Sequence, residues 1–370
     1  MNRSFSLYLD VVRFGAAVAV LLSHANMREV IATNLFPLSL GHNAVVVFFV
    51  LSGYVIAYVT DTRENTWHTY SISRLARVYS VALPAIVLVP LLDAAGQAIG
   101  TALYDAGNTT HDYGLVRVVT SALFVNELWF VSIMPFSNSP YWSLSYEVCY
   151  YVLFAVSQFE SGWRRVVLLV VACLIMGPKI LLLLPIWMVG VMLYRMRDRF
   201  VISELNGWLL ISASLIGAVI YYELGLYDLL SNATVRMVGT HWAKLLHFSQ
   251  HFLADYVFTA VVAANFLGVR AIARGRGGVP DPVARWIKRL SAYTFALYLF
   301  HLPLILFFAT VVNGNPSSSY FYIGVVLLSF TTAMLIGTGT EAFKDRLRHW
   351  LESEVAPSFA HLKGWWARSG

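Results

Sequence analysis

Long apolar runs alternate with short polar connections along almost the whole chain. A helix needs about 20 residues to cross the hydrocarbon core of a membrane, and runs of that kind occupy 7–27, 42–60, 78–98, 142–159, 207–227, 248–268, 290–312 and 319–340. Two shorter runs, 165–177 and 179–195, are separated by Gly177 and Pro178, which favour a break between two helices. The pattern predicts an all-α polytopic membrane bundle of about ten transmembrane helices.

The composition supports a membrane protein. The chain is 58% hydrophobic and only 12% charged, whereas soluble domains carry about 25% charged residues. No polar stretch is long enough for a separate soluble domain, so we expect one integral membrane domain over 1–340 and an amphipathic cytoplasmic tail over 341–370. The two cysteines, Cys149 and Cys173, lie in apolar runs, which favours packed thiols over a disulfide.

The segment 115–134 is ambiguous because it contains Arg117, Asn126 and Glu127. If it lies at the interface or re-enters the membrane while the other ten runs span, 20 of the 26 Lys and Arg residues fall on the side of the N-terminus and five fall opposite. If it spans, the N-terminal side keeps only 7. Basic residues are enriched in cytoplasmic loops, so the count predicts ten spans with both termini in the cytoplasm. This topology accounts for the net charge of +6 without a nucleic-acid partner.

Three ionisable residues lie within the first apolar run: Asp10, Arg13 and His24. A charged side chain at membrane depth costs a few kcal/mol and usually faces a protein interior or a wet cavity. Arg13 and His24 are separated by three helical turns plus about 20°, so both point from one face, about 16 Å apart. Asp10 can pair with Arg13 on that face. The arrangement suits one long site that binds an extended donor entering from the cytoplasm.

Simpler interpretations exist for each of these residues. Arg13 could extend to the cytoplasmic surface with Asp10 as its partner, and His24 could line the outer boundary of the membrane. The two side chains on a single helical face are harder to explain in this way, because both interpretations would then have to hold together.

The first helix resembles the signature of the acyltransferase 3 family of integral membrane acyltransferases, in which an arginine and a histidine are separated by ten residues. Four further segments resemble the family's motifs in the expected order. The five segments are LDVVRFGAAVAVLLSH (9–24), AVVVFFVLSGYVIAY (44–58), ISRLARVYS (72–80), YWSLSYEVCYY (141–151) and ALYLFHLPLIL (296–306). They correspond in turn to the first-helix signature, FFxLSG, a cytoplasmic-loop RxxR, WSLxxE and YLxHxP. The family's ten-span topology agrees with the one that the charge count predicts.

Two positions depart from the family's pattern. Val46 replaces an acidic residue that often precedes the FF pair, which puts a contact of the second helix in doubt. Ser80 replaces the proline that usually follows RxxR, which affects how the third helix begins. Neither position carries the proposed chemistry.

The resemblance implies transfer of an acyl group, commonly acetyl from acetyl-CoA, to a hydroxyl of a carbohydrate or lipid-linked glycan. His24 is the expected base, because a histidine can take the proton of an alcohol near neutral pH. Arg13, Arg74 and Arg77 are expected to bind the CoA phosphates, since guanidinium groups bind phosphate bidentately. For the last two, a plain topological role of cytoplasmic charge is the alternative.

Glu147 and His301 complete the candidate catalytic set with Arg13 and His24. Glu147 could orient a neighbouring histidine or arginine, or form a purely structural ion pair. His301 is followed by Pro303, which frees a backbone carbonyl and favours a kink near the middle of the span.

Other motif residues are expected to have packing roles. They are Asp10 as the partner of Arg13, Ser52 and Gly53 as small residues at a helix contact, and Trp142 in the WSLxxE segment. A covalent Ser52 intermediate is not expected, because no base lies in a local motif with it. His247 and His251 have metal-binding spacing, but no acidic or thiolate ligand accompanies them, so no metal is expected.

A secondary transporter or flippase for a glycan or small anion is the main alternative, because buried Arg, His and Glu also mark transport pathways. Such proteins often contain paired internal repeats, and the sequence shows no such self-similarity. A membrane scaffold or receptor is a further alternative, but it leaves the intramembrane charges unexplained. The expected partners are acetyl-CoA, a glycan acceptor and membrane lipids, with a homo-oligomer as an open alternative. The predicted location is the bacterial inner membrane.

Overall fold

The computed structural model describes residues 2–37, 39–105, 112–199, 201–274 and 279–355, which fold into helices with no β-strand among them. The helices of the first half are α1 (Arg3–Ala25), α2 (Leu40–Thr62), α3 (Trp67–Ile99), α4 (Ala102–Asp105), α5 (Gly114–Ala122), α6 (Trp142–Phe159) and α7 (Gly162–Met176). Those of the second half are α8 (Pro178–Arg195), α9 (Glu204–Glu223), α10 (Leu226–Val238), α11 (Thr240–Leu245), α12 (Phe252–Ala273), α13 (Asp281–Ala292), α14 (Thr294–Val312) and α15 (Ser319–Trp350).

Eight helices among the described residues are long and apolar enough to cross a membrane: α1, α2, α3, α8, α9, α12, α14 and α15. The prediction of an all-α polytopic membrane protein is therefore confirmed. The predicted runs 142–159 and 165–177 are also helical, as α6 and α7, but neither is among these eight, and α7 has only 15 residues. The count of ten spans and the cytoplasmic position of the termini stay predictions.

The ambiguous segment 115–134 does not form a long helix. Its helical part, α5, has nine residues, far fewer than the roughly 20 that a span needs. After α5 the chain turns irregularly, with Phe124, Trp129 and Phe136 in the left-handed backbone region. Asn126 and Glu127 within this turn are fully buried, so the polar residues that made the segment ambiguous lie inside the protein.

The RxxR motif lies on a helix, contrary to the prediction of a cytoplasmic loop over 61–77. Thr66 and Thr69 form a capping box, in which each side chain accepts a hydrogen bond from the other's backbone N–H. This cap starts α3 at Trp67, about two turns before Arg74. Both arginines therefore project from a regular helix. Ser80 is an interior residue of α3 rather than a residue at its start.

The predicted boundary at residue 340 is not marked by a helix end. Helix α15 continues from Ser319 to Trp350, and a short π-helical turn follows to Val355. The remainder of the predicted tail, 356–370, lies outside the described residues.

Helices α2 and α8 cross closely at two glycines. A Cβ atom added to Gly53 would collide with the carbonyl oxygen of Trp187, and one added to Gly190 would collide with the carbonyl oxygen of Val50. Without Cβ atoms, the two backbones approach and gain van der Waals contact, which is the main source of helix association in a membrane. The crossing fixes Ser52 of α2 beside Trp187 of α8.

Replacing Gly53 with alanine is therefore expected to destabilise the fold by about 1–3 kcal/mol, the usual cost of overpacking. Thermal unfolding of the purified protein in detergent measures the effect. Gly15→Ala in α1 is the matched control, because no atom lies within 4 Å of the added Cβ. Equal melting temperatures for Gly53→Ala and the wild type would show that the crossing is not tight.

Candidate functional site

The first helix places its polar residues at two levels. Arg13 Nη1 lies 3.6 Å from Asp10 Oδ1, and the same carboxylate oxygen accepts a hydrogen bond from Ser291 at 3.0 Å. His24 lies three turns further along α1. The expected pairing of Asp10 with Arg13 is thus present, at the distance of a weak ion pair.

His24 is in hydrogen-bond contact with His301 of α14. Nδ1 of His24 lies 3.1 Å from Nε2 of His301 and 3.0 Å from the carbonyl oxygen of Val20. Nδ1 of His301 lies 2.6 Å from the carbonyl oxygen of Tyr298. The His301 side chain is 0% exposed. Two of the four candidate catalytic residues, 277 positions apart in sequence, are therefore neighbours in the folded protein.

A cavity lies between these two levels, within the bundle. This central cavity has apolar walls from α2, including Val45, Phe48 and Phe49. Its polar lining consists of Arg13, Ser52, Arg74, Arg77, Ser143, Glu147, Tyr151, Thr294 and Tyr298. Apolar walls with a small number of polar groups are typical of ligand-binding sites.

A second cavity shares Arg13 and Arg77 with the central cavity. This entrance cavity is also lined by Asp10, Ser80, Lys288, Ser291, Glu341 and Lys344. Lys344 pairs with Glu341, whereas Lys288 and Arg77 make no ion pair within the described part of the chain. Two cations without an acidic partner, beside Arg13, form a surface suited to a polyanionic group.

Arg74 is held differently from Arg77, although both belong to RxxR. Arg74 Nη2 donates to Glu64 Oε1 at 2.6 Å, and the guanidinium lies over the rings of Tyr70 and Tyr151. Its side chain is only 11% exposed. Arg74 lines the central cavity, but part of its charge is already neutralised by Glu64.

Glu147 has hydroxyl partners rather than the expected histidine or arginine. Its Oε1 accepts hydrogen bonds at 2.5 Å from Ser52 Oγ and from the Tyr151 hydroxyl. Trp187 Nε1 in turn donates to Ser52 Oγ at 3.2 Å. Glu147 makes no ion pair among the described residues, although Arg13, Arg74 and Arg77 line the same cavity. Ser52 thus has a polar role in the cavity wall beside its role at the helix crossing.

Tyr298 closes the end of the central cavity that faces the histidines. Its hydroxyl lies 2.6 Å from Ser143 Oγ and 3.1 Å from the carbonyl oxygen of Pro140. Its ring centroid lies 6.0 Å from that of His301. The aromatic ring is therefore the wall between the central cavity and the histidine pair.

Trp142 and His251 line neither the central cavity nor the entrance cavity. Trp142 stacks on Phe248, with ring centroids 4.5 Å apart. His251 contacts Ser231 Oγ at 2.7 Å. Within the described ranges, no three His, Cys, Asp or Glu side chains are arranged to hold a metal ion.

Several site residues were not identified from the sequence: Lys288, Lys344, Tyr151, Tyr298 and Trp187. Tyr298 belongs to the YLxHxP segment, so the motif itself contained a signal for it. In sequence, Lys288 and Lys344 resemble ordinary basic residues of cytoplasmic segments. Their position in the lining of the entrance cavity follows from the packing of α13 and α15 against α1.

Helices that cross the membrane, with a histidine pair at one level and arginines at another, define an integral membrane protein with an intramembrane polar site. Residues 6–338 match the family model described as an acyltransferase domain, and the chain belongs to the acyltransferase 3 family. It is a membrane acyltransferase. No curated protein and no solved structure matches the chain significantly.

Proposed function

We propose that the protein transfers an acetyl group from acetyl-CoA to a hydroxyl of a cell-surface carbohydrate, such as a polysaccharide, lipopolysaccharide or lipid-linked glycan. The reaction takes place in the bacterial inner membrane, with both termini in the cytoplasm. The observation that carries this proposal is the order of the groups along the bundle: at the entrance, two cations without an ion pair among the described residues, then the central cavity, then the histidine pair. That order matches the order of phosphates, flexible arm and thioester in an acyl-CoA.

The hydrogen bonds of the histidine pair fix which nitrogen can act as a base. His301 Nδ1 faces a carbonyl oxygen, so it carries the hydrogen and leaves a lone pair on Nε2. That lone pair accepts the hydrogen of His24 Nδ1. Nε2 of His24 then holds a lone pair, and it makes no hydrogen bond within the described residues. His24 is therefore the base, and His301 is the residue that orients it.

The acyl transfer can be written with these groups alone. As the acceptor oxygen attacks the thioester carbonyl, His24 Nε2 takes the hydroxyl proton. The carbon–sulfur bond breaks, the new ester forms, and the histidinium returns the proton to the departing thiolate. His301 Nε2 stabilises the histidinium by accepting its Nδ1–H. No net proton is released, so neither histidine needs a path to bulk water.

The central cavity holds the arm of the donor in this proposal. Ser52, Tyr151 and Glu147 offer hydrogen-bonding groups to the amides of the arm, while Phe48 and Phe49 pack against its methylenes. Tyr298 has to turn away from Ser143 before the thioester reaches His24. In the absence of the donor, the Tyr298 ring separates the central cavity from the histidine pair.

Replacing Arg77 with alanine is expected to raise the KM for acetyl-CoA about tenfold or more, with little change in kcat. Arg77 lines both cavities and makes no ion pair among the described residues, and a hydrogen bond to a charged group is worth about 1.5–3 kcal/mol. The matched variant is Arg74→Ala, whose smaller expected effect on KM reflects the existing pair with Glu64. A larger effect for Arg74 than for Arg77 would contradict this assignment of the phosphate site. Steady-state kinetics with varied acetyl-CoA measure both.

The proposed function is tested with radiolabelled acetyl-CoA and membranes that contain or lack the protein. We expect label to appear in the glycan or lipid fraction only when the protein is present, and mass spectrometry then identifies the acetylated hydroxyl. Movement of a glycan across the membrane without covalent change would instead support a flippase. Labelled product made by membranes that lack the protein would assign the activity elsewhere.

A further inference from the structure

A third histidine, His42, lies close to the histidine pair, and a buried carboxylate holds it in place. His42 Nε2, in the first turn of α2, lies 2.9 Å from Asp255 Oδ1, near the start of α12. The Asp255 side chain is 0% exposed and that of His42 is 13% exposed. The second oxygen, Asp255 Oδ2, is also buried and has no hydrogen-bond partner among the described residues. Neither residue belongs to the mechanism derived above.

The carboxylate determines which nitrogen of His42 is available. A carboxylate only accepts hydrogen bonds, so His42 Nε2 carries the hydrogen and the neutral ring has its lone pair on Nδ1. Nδ1 makes no hydrogen bond within the part of the chain that the structure describes. Because Asp255 holds the ring in place, this lone pair is a fixed acceptor that remains partly accessible.

His42 lies near both His24 and the central cavity. Its neighbour Gly41 donates its N–H to Ser23 Oγ at 3.0 Å, and a Cβ atom on Gly41 would lie 3.8 Å from His24 Cε1. On α2, Val45 and Phe49 follow His42 at intervals of three and seven residues, so the three share one helical stripe. Val45 and Phe49 line the central cavity. His42 therefore lies one turn beyond that cavity, at the level of His24.

Aromatic rings surround His42. The Trp142 ring is nearly parallel to it, at 6.1 Å between centroids and 11° between planes. The rings of Tyr227 and His251 lie edge-on at 5.8 and 5.2 Å. A fixed acceptor beside aromatic rings resembles the small set of polar groups in an otherwise apolar lining that orients a bound ligand.

The neighbouring Ser231 and His251 do not form a nucleophile and base. Ser231 Oγ lies 2.6 Å from the carbonyl oxygen of Tyr227, to which its hydroxyl donates. At His251 Nδ1, 2.7 Å away, the same oxygen therefore acts as the acceptor. The serine hydrogen points away from the histidine, so this pair supplies no activated oxygen.

We propose that His42, oriented by Asp255, accepts a hydrogen bond from a second hydroxyl of the acceptor while His24 acts on the hydroxyl that is acylated. This inference rests on the proposed function and narrows the acceptor to polyhydroxylated compounds, such as a sugar head group, over alcohols with a single hydroxyl. His42 binds the acceptor, and Asp255 is a positioning residue that acts through His42.

Octyl glucoside and 1-octanol are suitable probes because they share an alkyl chain and differ in the number of hydroxyls. The full-length protein in lipid nanodiscs receives labelled acetyl-CoA and one probe below its micellar concentration. For the wild type we expect transfer to octyl glucoside about tenfold faster than to octanol, the effect of roughly one hydrogen bond. His42→Ala is expected to lose that preference while the KM for acetyl-CoA stays unchanged.

Asp255→Val separates positioning from general loss of structure, because it removes the acceptor of the His42 Nε2–H and keeps a similar side-chain volume. It is expected to lower the octyl glucoside rate about as much as His42→Ala, and the double variant is expected to lose nothing further. Additive losses, or an equal fall in the octanol rate, would indicate a purely structural role and overturn the inference. Ser231→Ala, which alters the same cluster without touching His42, is the control that keeps the preference.

The outcomes distinguish this inference from the proposed function. Equal transfer to the two probes by the wild type, or a preference that survives His42→Ala, overturns the role of His42 and leaves acyl transfer standing. If the wild type forms no acetyl ester with any hydroxyl probe or with native membranes, the proposed function fails and the inference fails with it.

Discussion

His24→Ala is expected to reduce acyl transfer by about 10²–10⁴-fold, the usual contribution of a general base, with the KM for acetyl-CoA unchanged. The reason is geometric. Nε2 of His24 is the nitrogen of the histidine pair that lacks a hydrogen-bond partner among the described residues, while Arg13 lies three turns away on the same helix and Arg74 and Arg77 lie on α3. Removing the imidazole therefore affects the chemical step and not the binding of the donor phosphates. Initial rates of CoA release at varied acetyl-CoA measure both quantities.

His301 allows a graded version of the same experiment. His301→Ala removes the acceptor for His24 Nδ1–H, whereas the side-chain oxygen of His301→Gln can still accept that hydrogen. We expect the glutamine variant to retain more activity than the alanine variant. His349→Ala, at an exposed position of α15, is the control for loss of a histidine as such. Wild-type activity in His24→Ala would exclude it as the base.

Lys179→Met is expected to destabilise the protein by about 3–5 kcal/mol, because it leaves a buried carboxylate without its cation. Lys179 Nζ donates to Glu127 Oε2 at 2.6 Å and to the carbonyl oxygen of Val131 at 2.5 Å. Both side chains are 0% exposed. Burial raises the pKa of the Glu127 carboxyl, and the ammonium of Lys179 opposes that shift. The pair joins α8 to the irregular segment after α5.

The matching double variant, Lys179→Met with Glu127→Leu, is expected to recover most of the lost stability. Replacing both partners of a buried ion pair with apolar residues is often neutral or stabilising. The free energy of unfolding in mixed micelles measures each variant, with Arg348→Ala as a control at the exposed pair with Glu352, where about 0–1 kcal/mol is expected. Ser132 Oγ also donates to Glu127 Oε1 at 2.6 Å. A double variant as unstable as Lys179→Met would show that this hydrogen bond and the one to the carbonyl oxygen of Val131 dominate instead.

The fold was largely predictable because its signals are local. A run of 20 apolar residues must form a helix in a membrane, since no water satisfies its backbone, and every predicted span coincides with a helix. The prediction failed at the start of α3. There the capping box of Thr66 and Thr69 began the helix within a stretch that looked like a polar loop, and it placed Arg74 and Arg77 on that helix.

Individual site residues could be predicted from the sequence, but their contacts with one another could not. Motifs identified His24 and His301 separately, but their contact depends on how α1 packs against α14, which no spacing reveals. Glu147 was identified, yet its partners were expected to be charged rather than Ser52 and Tyr151.

Two pairs had no sequence signal. His42 and Asp255 are 213 residues apart and Lys179 and Glu127 are 52 apart. A buried pair of this kind requires the tertiary fold.

The glycine crossing of α2 and α8 has a consequence for how an acyl group could traverse the membrane. With backbone against backbone at Gly53 and Gly190, neither helix can slide or tilt without losing contact along the whole crossing. A rocking motion of two half-bundles, the usual device of transporters, would have to break it. We therefore expect α2 and α8 to keep their positions while the acyl group moves. The backbone amides of both helices should then exchange hydrogen slowly with and without acetyl-CoA.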